Sequence, residues 1–309
     1  MDFSPDVLAG FSAAPLGRAT LVRSDTPPAN PRAAVLHVHG YNDYFYQAEL
    51  AHWFEDQGLA FYAVDMRGAG RSERAGDHPH DMASLTEPGD DIAAACEAIA
   101  EAHPALPIIL HAHSTGGLSA AIWVADRPHP HVAGLVLNSP LFGLPMTRGQ
   151  ALLARVVTPI KKLRPTMIVS RVPSLYNERI HVNGGGNETF DQDWKRPQGI
   201  PTTAQWAGTV RGGWKRIDGG LGIALPVLVA RSASTGPERD DNPRFNSQDV
   251  VVDTAETARL TPKLGPLAEE LVVEDGMHDL TLSAPGPRAA YFRGVADWLD
   301  RVLEGEVLP

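Results

Sequence analysis

Cysteine is almost missing from this chain of 309 residues, and the single one, Cys96, excludes any internal disulfide. It shares the apolar stripe of a predicted helix with Ile92 and Ile99, which reads as a packed core thiol rather than a reactive one. Long apolar runs are missing too. No window approaches ~18 consecutive apolar residues, so a membrane-spanning helix is excluded. Basic charge is in short supply, with 27 Lys and Arg against 37 Asp and Glu and a formal net charge of -10. That balance argues against a nucleic-acid binder, which needs a basic surface for phosphate contacts. The opening stretch MDFSPDVLAGFS carries Asp2 and Asp6 and has no basic region followed by an apolar run. The expectation is therefore no secretory signal and a cytoplasmic location. What remains, 43% hydrophobic and 21% charged residues, is ordinary for a globular protein. The length suits one large α/β domain with an insertion, or two small domains.

Read in order, the chain alternates buried strands with helices. After an irregular entry, in which Ala19 to Val22 is predicted as an edge strand, AAVLHVHG (Ala33 to Gly40) reads as a strand apolar on both faces. A helix over about 47–57, a strand over 60–64, a helix over about 90–102, a strand over 107–112, a helix over 117–126 and a strand over 132–140 follow. This rhythm implies right-handed crossovers and a parallel sheet, so the predicted fold class is α/β. Between 141 and 224 the pattern gives way to proline, glycine and tryptophan without strand alternation. It resumes with a strand over 224–231, a helix from about Asp253 with Glu256 completing a capping box, a strand over 270–275 and a helix over about 287–303. We read 1–140 and 225–309 as one catalytic domain and 141–224 as an inserted cap, because the sheet needs strands from both sides of the insertion.

Within the cap, Leu152, Leu153, Val156, Val157 and Ile160 fall on one helical face, with Pro159 predicted to kink or end that helix. From 141 to 180 the basic residues are Arg148, Arg155, Lys161, Lys162, Arg164, Arg171 and Arg179, and Glu178 is the only acid. Transient contact with lipid headgroups at a membrane surface, or with anionic substrates, is one reading of this segment. A helix packed on the domain with solvated charges is the other.

The chemistry centres on PIILHAHSTGG, a strand that runs through Ser114 into a helix. The residues two before and two after such a serine must be small so that the turn can lift its hydroxyl above the sheet. Ala112 and Gly116 meet that demand, with Ala standing where G-x-S-x-G has its first glycine. A serine hydroxyl needs a base, an orienting acid and donors for the developing oxyanion. His278, just past the last predicted strand, stands where the base is required; His181, which falls within the cap, is the only other histidine beyond residue 140. For the acid, the loop after strand 224–231 offers Asp240, Asp241, Asp249 and Asp253. Asp249 is preferred because Asp253 suits a helix cap and the other two sit in a loose polar stretch. The backbone N–H groups of Thr115 and Tyr41 are the expected oxyanion donors, each worth about 3–4 kcal/mol of transition-state stabilisation. Tyr44, Phe45 and Tyr46 are candidates either to line an acyl pocket or to staple the cap to the domain. His78 with His80 and His129 with His131 lie in proline-bearing loops without thiols, and are read as solvated rather than metal-binding.

HGYND with the aromatic run after it, DMRGAGRS, AHSTGG, LVLNSP, DVVVD and MHDLTLS together resemble the monoacylglycerol lipase and lysophospholipase-like branch of the α/β-hydrolase superfamily. The resemblance covers roughly 33–140 and 225–303, and it places the acid at the first Asp of D-x-x-x-D, here Asp249. It departs from the pattern at Ala112 and in the longer loop before Asp249. It implies an α/β-hydrolase fold and hydrolysis of a small-molecule or lipid ester through Ser114, His278 and Asp249, with no metal or organic cofactor. A small-ester carboxylesterase, an amidase or peptidase with the same triad, and a non-catalytic binding protein of the same fold are the competing readings.

Overall fold

The computed structural model describes residues 1–146, 157–171 and 173–305. Its centre is a nine-stranded sheet in the order β1-β2-β3-β5-β4-β6-β7-β10-β11. The parallel part comprises β4 (Ala33–Val38), β5 (Leu59–Asp65), β6 (Ile108–His113), β7 (Val132–Asn138), β10 (Val227–Ser232) and β11 (Ala268–Val273). The interior strands are apolar without alternation because helices cover both faces. On one face α2 (Thr86–Ala102) and α3 (Thr115–Asp126) pack Ile92, Cys96, Leu118 and Trp123 against Leu36, Leu110 and Leu137. On the other, α1 (Ala48–Asp56) and a final helix Pro285–Leu303 bury Phe54, Tyr291, Val295 and Trp298 against Val35, Ile109 and Val136. Cys96 is fully buried, and burial pushes its thiol pKa up.

Register decides what meets at the carboxyl edge. Val38 of β4 pairs with Ala112 of β6, and His113 pairs with Asn138 of β7. Ala230 of β10 pairs with Asn138, and Ser232 pairs with Val273 of β11. The five strands therefore end nearly level, and the loops that follow them share one crevice.

The strand expected at the amino-terminal edge lies inside the sheet. β3 (Ala19–Ser24) pairs antiparallel with β5 on one side and with β2 (Phe11–Leu16) on the other, and the edge itself is β1 (Ser4–Pro5). Gly10 and Gly17, at φ 85° and 64°, make the turns that add these strands. The capping box is half made. The Asp253 side chain accepts the N–H groups of Ala255 and Glu256, but the Asp253 N–H goes to Gly143, and Glu256 pairs with Arg259 instead.

The chain leaves the sheet after β7 and returns at β10, although these two strands are neighbours. Between them lie helices α4 (Val157–Leu163), α5 (Leu175–Ile180) and α6 (Ala204–Asp218) and a short antiparallel pair, β8 (Ile168–Ser170) with β9 (Thr202–Thr203). Trp206, Val210 and Ile217 of α6 join the core that covers α3. Pro159 does not end its helix, which continues to Leu163. Leu152, Leu153, Val156, Arg148 and Arg155 lie outside the described residues. Lys161 is not simply solvated: its Nζ donates to the Ala83 carbonyl at 2.8 Å and to Thr209 Oγ1 at 2.7 Å. No helix among the described residues is long and apolar enough to cross a membrane.

Candidate active site

Ser114 follows the last residue of β6 with φ 52° and ψ -118°, a conformation costing about 1–3 kcal/mol that L-residues hold only when the surroundings enforce it. They do so here. The Ser114 N–H bonds the Asn138 carbonyl at 3.1 Å, and Thr115 begins α3 at once. A Cβ on Gly116 would stand 2.4 Å from the His39 carbonyl and 2.7 Å from that of Val38, so the helix start packs on β4 only without a side chain there. Ala112 is fully buried, and its methyl is absorbed into the core on the α2–α3 side of the sheet.

His278 reaches Ser114 from the loop after β11, with Nε2 3.2 Å from Oγ, while Nδ1 lies 2.9 Å from Asp249 Oδ2. Asp249 is itself fixed on every side. Its Oδ1 accepts the N–H groups of Val251 and Val252, both at 2.8 Å, and its backbone forms a bridge to Thr235. All three side chains are buried. The geometry matches a nucleophile, a base and an orienting carboxylate in line.

The loop carrying the other predicted donor passes directly beside the serine. A Cβ on Gly40 would lie 3.0 Å from Ser114 Cβ, and Tyr41 comes next. Thr115 is the first residue of α3, where backbone N–H groups lack intrahelical partners. Both residues line a cavity of about 270 Å³ that also touches Ser114 and His278. Leu141, Leu144, Ile200, Trp206 and Val251 form an apolar part of its wall. Asn42, Asp43, Lys195, Tyr176, Asn177 and Glu238 form a polar part. A larger groove of about 780 Å³ lies between α1 and the final helix and does not include Ser114 or His278.

Tyr44, Phe45 and Tyr46 do not line the cavity at Ser114. Phe45 is completely buried against Phe11 and Phe61 beneath the sheet. Tyr44 accepts the Asp191 N–H at 2.7 Å and meets the Trp194 ring at 5.1 Å, while Tyr46 packs on Phe190. Their contacts attach the segment around 190–195 to the sheet domain, and the run of three aromatics alternates direction too sharply to form one wall.

Several groups at the site were given no role there by the sequence. Lys195 pairs with Asp43 at 2.7 Å, both nearly inaccessible. The Asn42 amide exchanges two hydrogen bonds with the Arg196 backbone, at 2.8 and 2.9 Å. Asp279, next to His278, is fully buried; burial raises its carboxyl pKa, but the field of His113 and bonds from Thr281, Gln47 and Asn138 outweigh this and hold it well below the usual range. His113 sits 4.8 Å ring to ring from His278 with its pKa lowered chiefly by burial. His80 is buried rather than solvated, edge-on to Tyr41 at 5.6 Å, because its φ of 55° folds the loop inward against Gly68. Among the described residues no group of three or more His, Cys, Asp or Glu is disposed to hold a metal.

Residues 29–198 match the family described as serine aminopeptidase, S33. The monoacylglycerol lipase of Mycolicibacterium smegmatis is 34% identical over 116 residues, 37% of this chain and 40% of that one. Phospholipase YtpA of Bacillus subtilis is 30% identical over 123 residues, 40% of this chain and 46% of that one. In both cases the match spans less than half the length of the curated relative. A soluble variant of the Saccharomyces cerevisiae monoglyceride lipase, solved with a substrate analogue, superposes with a TM-score of 0.67 at 16% identity, covering 94% of each chain. With more than half of its residues inside that family and nearly its whole length superposing on a monoglyceride lipase, the chain belongs to the serine aminopeptidase S33 family and has the α/β-hydrolase fold of the monoacylglycerol lipases.

Proposed function

We propose that the protein is a serine hydrolase of carboxylic esters, acting on monoacylglycerol-like lipids, with residues 1–140 and 225–309 as the catalytic domain and 141–224 as a cap over the substrate cavity. The observation that carries this reading is the buried line from Ser114 Oγ through His278 to Asp249, at 3.2 and 2.9 Å, opening on the cavity of about 270 Å³. In the first step Ser114 Oγ attacks the acyl carbonyl while His278 Nε2 takes its proton. Asp249 keeps Nδ1–H directed at itself and stabilises the imidazolium. The N–H groups of Thr115 and Tyr41 receive the oxyanion. Collapse of the tetrahedral adduct expels the alcohol with the proton from His278, leaving an acyl-enzyme. Water, deprotonated by His278, then releases the acid and restores Ser114.

The test is hydrolysis of p-nitrophenyl butyrate and of a long-chain monoacylglycerol by wild type, Ser114→Ala and Asp249→Asn. Loss of both activities in Ser114→Ala, with loss of fluorophosphonate labelling, is the expected result. A protein that hydrolyses neither ester and takes no label would instead be a binding protein of this fold. The family description supports a second reading, cleavage of an aminoacyl amide by the same residues. Faster turnover of aminoacyl p-nitroanilides than of either ester would select it.

Lys162, Leu163 and Arg164 form the part of the cap that could touch lipid, with Leu163 82% exposed between two cations. Binding to anionic vesicles that persists in Lys162→Glu/Arg164→Glu would remove that contact from the proposal.

A further inference from the structure

The cavity beside Ser114 contains a carboxylate that no neighbour neutralises. Lys195, the lysine in its wall, is matched to Asp43 at 2.7 Å. Glu238, from the long loop between β10 and Asp249, lines the same cavity, and its Oε1 accepts the Tyr176 N–H at 2.9 Å. Among the described residues no Lys or Arg forms an ion pair with it. Burial raises its pKa above the usual carboxylate range, and the Tyr176 N–H and the nearby His278 offset this only in part.

The surroundings reinforce its sign. Asp249 is bound by the backbone N–H groups of Val251 and Val252, and Asp279 by Gln47, Asn138 and Thr281. Apart from His278 beside Asp249 and the field of His113 at Asp279, these are neutral donors, which satisfy the oxygens without cancelling the charge. An anionic head group entering here would give up its water to face the Glu238 carboxylate, with Asp249 and Asp279 behind the wall. A hydroxyl or ammonium would find a charge-assisted acceptor.

Resting on the reading of Ser114 as nucleophile, we propose that Glu238 sets head-group selectivity: the cavity accepts esters of neutral or cationic alcohols, glycerol among them, and refuses those bearing a phosphate. The residue separates two chemistries found among the relatives, monoacylglycerol and phospholipid hydrolysis, in favour of the first.

The experiment compares 1-octanoylglycerol with 1-octanoylglycerol 3-phosphate at pH 8, with rates expressed per fluorophosphonate-titrated site. Wild type is expected to favour the neutral ester in kcat/KM by about 100-fold or more, since juxtaposed like charges cost several kcal/mol. Glu238→Gln should lower that ratio at least about tenfold by raising the rate on the phosphate ester, and Glu238→Asp should keep it. An unchanged ratio in Glu238→Gln, or a wild type that takes both esters equally, overturns the proposal. If Glu238→Gln yields no titratable sites, Glu238→Ala is read by the same criterion. Hydrolysis of 1-octanoylglycerol that persists in Ser114→Ala would overturn the nucleophile reading itself, an outcome separate from an unchanged ratio.

Discussion

Ser114, Asp249 and His278 follow β6, β10 and β11, and their positions are set by strands whose backbones are already paired. The loop from Tyr41 to Tyr46 leaves β4 in the same way, but it is held from outside the sheet. Asn42 is bonded to Arg196, Asp43 to Lys195 and Tyr44 to Asp191, each across about 150 residues of chain. Asn42 adopts φ 53°, a left-handed value that Asn tolerates better than most residues. One half of the site is thus fixed by main-chain geometry, and the other by the side chains of Asn42, Asp43 and Tyr44 bonded to the backbone and to the Lys195 ammonium of the segment 191–196. If this contrast is real, damage to the first should abolish chemistry, whereas damage to the second should affect stability and the donor loop.

The largest effect is expected on the sheet-held half. On the proposed mechanism Asp249→Asn should lower kcat on p-nitrophenyl butyrate by about 10⁴-fold while leaving the melting temperature nearly unchanged, because Asn keeps an oxygen for the Val251 and Val252 N–H groups but cannot hold the charge that orients His278. On the other half, Lys195→Met strands Asp43, only 7% exposed, without its partner. Chemical denaturation should show a loss of about 3–5 kcal/mol, of which Asp43→Leu in the same chain restores a large part. A Lys195→Met protein as stable as wild type would mean that the segment is not held by this pair. Asn42→Ala removes both bonds to Arg196 and puts Ala at a positive φ; kcat should fall by roughly tenfold or more with KM little changed, as expected if Tyr41 loses its aim. Asn42→Gly, which keeps the backbone conformation, should lose less.

Beneath both halves, His37 and His111 face each other across β4 and β6 with Nδ1 atoms 2.8 Å apart, and His111 Nε2 meets Tyr291. Burial lowers both pKa values, that of His111 to about 4. The unfolded chain therefore takes up protons first as pH falls below 6.5, and stability should drop from there towards pH 4, by on the order of 2 kcal/mol for His111 alone at pH 5. Melting curves across that range should be flatter for His111→Gln. The smallest effect is expected at Ala112→Gly, which restores the usual motif: activity close to wild type and a stability cost of about 1 kcal/mol for glycine in a buried strand.

The same contrast explains what could be read in advance. The elbow was legible because a tight turn permits few residue types at 112 and 116, and His278 was legible from its place beyond the last strand. Asp249 stood out from its neighbours because Asp253 had a capping role to fill, a role the structure gives it, although Glu256 does not complete the box. The holding role of Lys195 and the cavity position of Glu238 left no local pattern, since each depends on a partner far away in sequence. His80 was misjudged as solvated for the same reason. Proline and charge around it describe a surface loop, but a single left-handed residue turns that loop inward. The place of β3 was missed because the hairpin beyond it is short and bounded by two glycines, which offer no hydrophobic periodicity to find.

The excursion between β7 and β10 begins and ends on adjacent strands, so its two ends are already close together in the finished sheet. Closing such a loop costs entropy only as the logarithm of its length, about 0.6 kcal/mol for each doubling. Lengthening or trimming the chain between 139 and 226 therefore asks little of the sheet's thermodynamics, provided the anchors at Asn42, Asp43 and Tyr44 find their partners. Evolution and protein engineering can both exploit this as a port, at which one sheet exchanges the segment inserted between two of its neighbouring strands without having to relearn how to fold.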